Sequence, residues 1–86
     1  MENTFKVEIY TPEKLFLNEE TELLTVSGLD GEYGIMKNHI PCVIALKEGY
    51  IELTKNGEKR RLTADGGYLE MDNNRARIFV SGCKNN

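Results

Sequence analysis

Histidine occurs once and cysteine twice in this sequence, and no apolar run is long enough to span a bilayer. Each scarcity removes a class of chemistry. Cys42 and Cys83 stand far apart and form neither a CxxC pair nor the dense framework of a disulfide-stapled secreted domain, so reduced thiols are expected. His39, with Cys42 three residues on, offers two soft ligands, short of the three or four that zinc takes. No metal, cofactor or small-molecule ligand is therefore expected. Charges at Glu2, Lys6 and Glu8 break up the N-terminal apolar residues, against a signal peptide. A basic amphipathic helix and a lipidation motif are lacking too, so the expected setting is cytoplasmic, and any work at a membrane requires partners to hold the protein there. Excess positive charge is also missing: a net charge of -3 and a pI near 5.1 disfavour attraction to phosphates or anionic lipid.

What is present reads as strands. Phe5, Val7 and Ile9 alternate with Lys6, Glu8 and Tyr10, the period of a strand with one buried face. Ile51 and Leu53 repeat that period, as do Ala76, Ile78 and Val80. Asn56-Gly57 suits a type I′ turn, whose two positions need positive φ, and predicts a hairpin joining 50–55 to 58–64. Asp65-Gly66-Gly67 and Asp72-Asn73-Asn74 punctuate two further strands at 68–71 and 75–80, so a four-strand meander is expected. Earlier strands are predicted at 14–16, 21–26 and 42–46, the last with apolar residues on both sides of the pleat, as if buried on both faces. The fold class is all-β: a small sandwich or flattened barrel of about ten short strands. The 86 residues leave room for one core, so a single domain over 1–86 is expected, with its core at about 5–80 and a short tail at 81–86.

The longest stretch without a strand pattern is 28–41, and an ordered connection of that length usually carries function. Gly28, Gly31 and Gly34 permit tight backbone turns, while Tyr33, Ile35, Met36 and Ile40 supply apolar contacts that a disordered loop would not need. The glycines form no phosphate loop: the run lacks a Gly-Lys-Ser/Thr ending and opens no helix. Asp30 and Glu32 are unsuited to acid–base work, since nothing in an exposed turn desolvates either carboxyl. They are better suited to present fixed negative charge to a basic partner.

Two rival readings come from other classes. Lys55, Lys59, Arg60 and Arg61 cluster at one hairpin, and a basic barrel face with Tyr50 and Tyr68 nearby would bind single-stranded nucleic acid; the overall acidity and the few aromatics oppose this. A thiol enzyme built on Cys42 and His39 would need a reactive thiolate, whereas Cys42 opens an apolar strand.

Gly31-Glu32-Tyr33-Gly34-Ile35 followed by His39-Ile40-Pro41 resembles the Gly-Glu-x-Gly-Ile … His-x-Pro signature of the ATP synthase epsilon subunit family. The opening run from Phe5 through Pro12-Glu13, the segment Ala45-Leu46-Lys47-Glu48-Gly49 and the motif Gly66-Gly67-Tyr68-Leu69-Glu70 also resemble that family, in order and at its spacing. The resemblance implies a ten-stranded β-sandwich and a non-catalytic central-stalk subunit that couples the gamma subunit to the c-ring during ion-driven ATP synthesis. It also implies a peripheral position at the cytoplasmic face of the membrane. By position it assigns the partner contacts to Asp30, Gly31, Glu32, Tyr33, Gly34, Met36, Lys37, Asn38, His39 and Ile40. Glu32 would face the polar loops of the c-ring, and His39 would lie close to gamma. Two departures follow. Residues 81–86 stand where the family continues into a two-helix domain, so that domain's inhibition of ATP hydrolysis and its ATP binding are not carried over. Lys37-Asn38 replaces the family's Pro-Gly, which removes a proline restraint on φ and predicts a looser loop.

Overall fold

The computed structural model describes residues 3–86 and contains no helix among them. Its strands are β1 (Phe5–Tyr10), β2 (Leu15–Thr21), β3 (Leu23–Gly28), β4 (Gly31–Met36), β5 (Cys42–Lys55), β6 (Glu58–Ala64), β7 (Gly67–Asp72), β8 (Arg75–Val80) and β9 (Cys83–Asn85). One layer runs β2–β1–β8–β7 and is completed by the first half of β5. The other runs β4–β3–β5–β6–β9, using the second half of β5. β1 and β8 pair in parallel, Val7 opposite Ala76 and Ile9 opposite Ile78. The two layers fold together as a small sandwich.

Period-two alternation decides what lies inside. Val7, Ile9, Leu69, Met71 and Ile78 enter the core from the first layer, and Leu24, Val26, Ile35, Ile51 and Leu62 from the second. Burying each such side chain contributes roughly 1.5–3 kcal/mol, which is what holds two otherwise polar sheets together.

Several expectations are corrected. Nine strands form among the described residues, in keeping with the number expected, but the segments predicted at 42–46 and 50–55 are one 14-residue strand. Lys47, Glu48 and Gly49 look like a break in sequence, yet Gly49 already pairs with Ala64 of β6. The same segment is not covered on both faces: Ile44 and Leu46 point inward, while Val43 is 71% exposed and Ala45 is exposed, since no third layer lies outside β5. The expected meander stops at Asp65. β6 and β7 each pair with β5 and not with each other, so this turn is where the chain changes layer. The closing residues, expected as a tail, contain β9, which pairs with β6. The strand predicted at 14–16 extends to Thr21, and β3 begins only at Leu23. Both Asn-led turns form as predicted, with positive φ at Asn56, Gly57, Asn73 and Asn74.

Glu8 departs from its sequence pattern in a consequential way. It sits on the outer face but is only 5% exposed, covered by side chains of its own sheet. Arg75 donates from Nε to its Oε1 at 3.0 Å and from Nη2 to its Oε2 at 3.4 Å, and the Tyr10 hydroxyl donates at 3.0 Å. Burial pushes this carboxyl up, and the hydrogen bonds from Arg75 and Tyr10, with the Arg75 charge, more than offset it, so Glu8 titrates below the ordinary glutamate range. A depressed folded-state value stabilises the fold above the unfolded value, and that contribution is lost as pH falls through the folded one. Glu8→Gln should therefore flatten the acid limb of the stability curve, from just above the ordinary glutamate value down through the lowered folded one. Chemical denaturation across that range checks it; a mutant curve parallel to the parent's would exclude Glu8 as a contributor.

Candidate partner-binding surface

The stretch expected to be irregular is mostly a hairpin. β3 and β4 run antiparallel without a register shift from Leu23–Met36 to Gly28–Gly31, closed by a turn at Leu29 and Asp30. Tyr33 and Ile35 face inward beside Val26 and Leu24, which gives β4 its own share of the core. The glycines that made the segment look like a loop have local causes. A side chain at Gly28 would lie 2.6 Å from the Tyr33 ring, and Gly31 adopts a φ of 140°.

β4 therefore separates the ten expected contact residues into two groups. Five residue steps along a strand span about 17 Å, so the turn and the far loop are different places on the surface. At the turn, the Tyr33 hydroxyl donates to both Asp30 carboxylate oxygens at 2.8 and 3.0 Å, and this bond raises the Tyr33 phenol above its ordinary value. The Leu29 N–H donates to the Ala45 carbonyl at 3.0 Å and ties the turn to β5. Gly31 and Glu32 are exposed here, beside a shallow groove with Lys47, Glu48 and Tyr50 on its other wall. Gly34 lies midway along the strand with its outer face open.

The far end carries Met36, Lys37, Asn38, His39 and Ile40. Met36 is 58% and Ile40 73% exposed, an apolar pair in a setting otherwise polar. The loop is pinned, contrary to the looser loop expected without Pro-Gly. Asn38 takes a φ of 69°, its N–H donates to Asn74 Oδ1 at 2.7 Å, and Asn74 Nδ2 returns a bond to Asn38 Oδ1 at 3.2 Å. This reciprocal amide pair joins the loop to the β7–β8 turn. Sequence reading missed Asn74 because its signal, an Asn in a turn, predicts the turn and not its distant partner.

His39 Nδ1 lies 2.8 Å from the Ile40 carbonyl and 3.8 Å from Cys42 Sγ. Burial pushes the Cys42 thiol up, the opposite of what a nucleophile needs. Among the described residues no group of three or more His, Cys, Asp or Glu is placed to hold a metal. The nucleic-acid reading fares no better. Arg61 lies over the Tyr50 ring at 4.0 Å and pairs with Glu52 at 3.3 Å, while Arg60 is held by Glu19. Tyr68 belongs to the other layer, stacked on Phe79, which stacks on Tyr10. The Tyr50 face that a base would need is covered by Arg61, and Tyr68 is stacked in the other layer, apart from the Arg60–Arg61 cluster.

Together these features define a small β-sandwich domain whose β3–β4 hairpin exposes its turn and its far loop. The model of the ATP synthase delta/epsilon chain β-sandwich domain matches residues 4–85, and the chain belongs to that family. It is 38% identical to the ATP synthase epsilon chain of Syntrophomonas wolfei over 80 residues, 92% of this chain and 58% of that protein. To the epsilon chain of Caldicellulosiruptor bescii it is 38% identical over 75 residues, 87% of this chain and 55% of that protein. The chain thus spans a little over half the length of these curated relatives. In fold it is similar to a chain of the Euglena gracilis mitochondrial ATP synthase, in a structure of its OSCP/F1/c-ring, with a TM-score of 0.90 and 18% identity over 99% of this chain and 55% of that one. A chain of the Tetrahymena thermophila mitochondrial ATP synthase central stalk and c-ring gives a TM-score of 0.78 at 18% identity, over 93% of this chain and 65% of that one. No helix among the described residues is long and apolar enough to cross a membrane.

Proposed function

We propose that this domain is a non-catalytic rotor component of an F-type ATP synthase, held peripherally at the cytoplasmic face of the membrane, that joins the gamma subunit to the c-ring. The observation that carries the reading is the β3–β4 hairpin, a core-anchored strand with different chemistry at its two ends. Asp30 and Glu32 present acid at the turn, suited to basic, polar loops of the ring. His39 with exposed Met36 and Ile40 presents a mixed apolar and polar face, suited to gamma. Because β4 holds the two ends apart, one rigid element addresses two partners without a moving part. No reaction is assigned to the domain; the chemistry belongs to other subunits.

Titration calorimetry against a purified gamma subunit tests this. Binding near one-to-one is expected, with His39→Ala weakening it roughly tenfold, about 1.4 kcal/mol. Glu32→Ala should leave gamma binding unchanged and weaken the complex only when the c-ring is added. A folded cognate gamma that does not bind would sink the proposal.

A further inference from the structure

The His39 N–H donates to the Met36 carbonyl at 3.1 Å and closes a turn over Lys37 and Asn38. Only the second of these two residues has positive φ, 69° at Asn38, which is the type II pattern. Proline and glycine at those two positions would favour such a turn by themselves, whereas lysine leaves φ free and asparagine tolerates the left-handed region without preferring it. The restraint comes instead from Asn74, 36 residues away. Its Oδ1 accepts from the Asn38 N–H at 2.7 Å, which leaves its Nδ2 facing Asn38 Oδ1 at 3.2 Å. Flipping either amide would set donor against donor, so the two bonds fix each other's orientation. Asn74 is anchored in turn: it is half-buried, and its carbonyl accepts from the Lys6 N–H at 3.1 Å, where β1 lies beside β8.

We infer that Asn74 is a positioning residue for the partner face: through Asn38, its amide holds the turn in the shape that presents His39 and Ile40. Without the amide pair, Asn38 is free to leave the left-handed region, the Met36–His39 bond opens, and His39 swings with it. A partner must then order the loop on binding, which weakens the complex although no contact residue has changed. That the partner is gamma rests on the proposed rotor function; the amide pair itself does not.

Asn74→Gly and Asn74→Asp, set beside the parent, test this. Glycine keeps the positive φ and the bond from Lys6 but has no amide. Aspartate keeps two polar atoms in place, and Asn38 need only flip its own amide to donate to the carboxylate. By NMR solvent exchange, the Asn38 amide should exchange roughly tenfold faster in Asn74→Gly and no faster in Asn74→Asp, with the Leu69 and Ile78 amides unchanged in both. Calorimetry against gamma should follow the same order, with Kd raised roughly tenfold by glycine and restored by aspartate. His39→Ala should cost less in the Asn74→Gly background than in the parent, as expected of a residue that acts through the His39 face. An Asn38 amide indifferent to Asn74→Gly overturns the inference, and so does gamma binding that is unchanged when that amide is released. Equal weakening by glycine and aspartate overturns it too, because the amide pair would then not be the cause. A parent chain that binds no gamma defeats the rotor reading instead, and the exchange comparison alone then decides whether Asn74 holds the loop.

Discussion

Replacing Gly67 with alanine should lower the melting temperature by roughly 12–24 °C. Gly67 starts β7 and pairs on one side with Val80 of β8 and on the other with Leu46 of β5. A Cβ built there would lie 1.9 Å from the Phe79 carbonyl oxygen and 3.0 Å from the Val80 Cα. Those are backbone atoms of the paired strand, so no rotamer change relieves the clash and the ladder itself must shift. Overpacking commonly costs about 1–3 kcal/mol, a clash this close with paired backbone belongs at the upper end, and in a domain of this size each kcal/mol moves the midpoint by about 4–8 °C. Thermal unfolding by circular dichroism is the measurement. Gly34→Ala serves as control, since its methyl group would meet only Leu23 Cδ1 at an ordinary contact distance of 3.7 Å, and a Gly67→Ala shift no larger than the control's would refute the packing argument.

Ile35→Ala should be comparably severe but more local. Ile35 is fully buried and is the strongest attachment of β4 to the core, Tyr33 being half-exposed. Truncating a buried isoleucine costs about 2–5 kcal/mol. Because β4 is an edge strand, part of that loss should appear as detachment of the strand before global unfolding. Hydrogen exchange is expected to accelerate at the amides of Tyr33 and Ile35 while those of Leu69 and Ile78 follow global stability. Under the proposed function, the variant should weaken gamma binding through the His39 end although His39 itself is intact. Uniform acceleration across all strands would show instead that β4 does not open separately.

The periodic strands and Asn-led turns were legible because their causes are local. The period of Phe5, Val7 and Ile9 and the positive φ demanded at Asn56-Gly57 act within a few residues. β4 was hidden by Gly31 and Gly34, which weaken a strand in isolation but are required or tolerated here by the tight turn and the open outer face. The real evidence for it lay in the alternation of Tyr33 and Ile35, over too few residues to outweigh the glycines. With 28–41 read as a loop, the sequence holds no sign that Glu32 and His39 lie at opposite ends of a strand. The burial of Glu8 was equally hidden, because Arg75 reaches it only through the parallel pairing of β1 with β8, across most of the chain. Val43 misled in the opposite sense: an apolar run says nothing about whether a layer exists to cover it.

β5 belongs to both layers, and Leu46 is paired at once with Gly67 of the first and Gly28 of the second. Two sheets that merely stack can slide over each other, as greased plates do under shear. These cannot, because sliding would have to stretch one continuous backbone and break pairing on both sides of the same residue. Under a twisting load the domain should behave as a stiff coupling, passing strain between the β3–β4 turn and the β7 strand through covalent bonds, with little stored in elastic give.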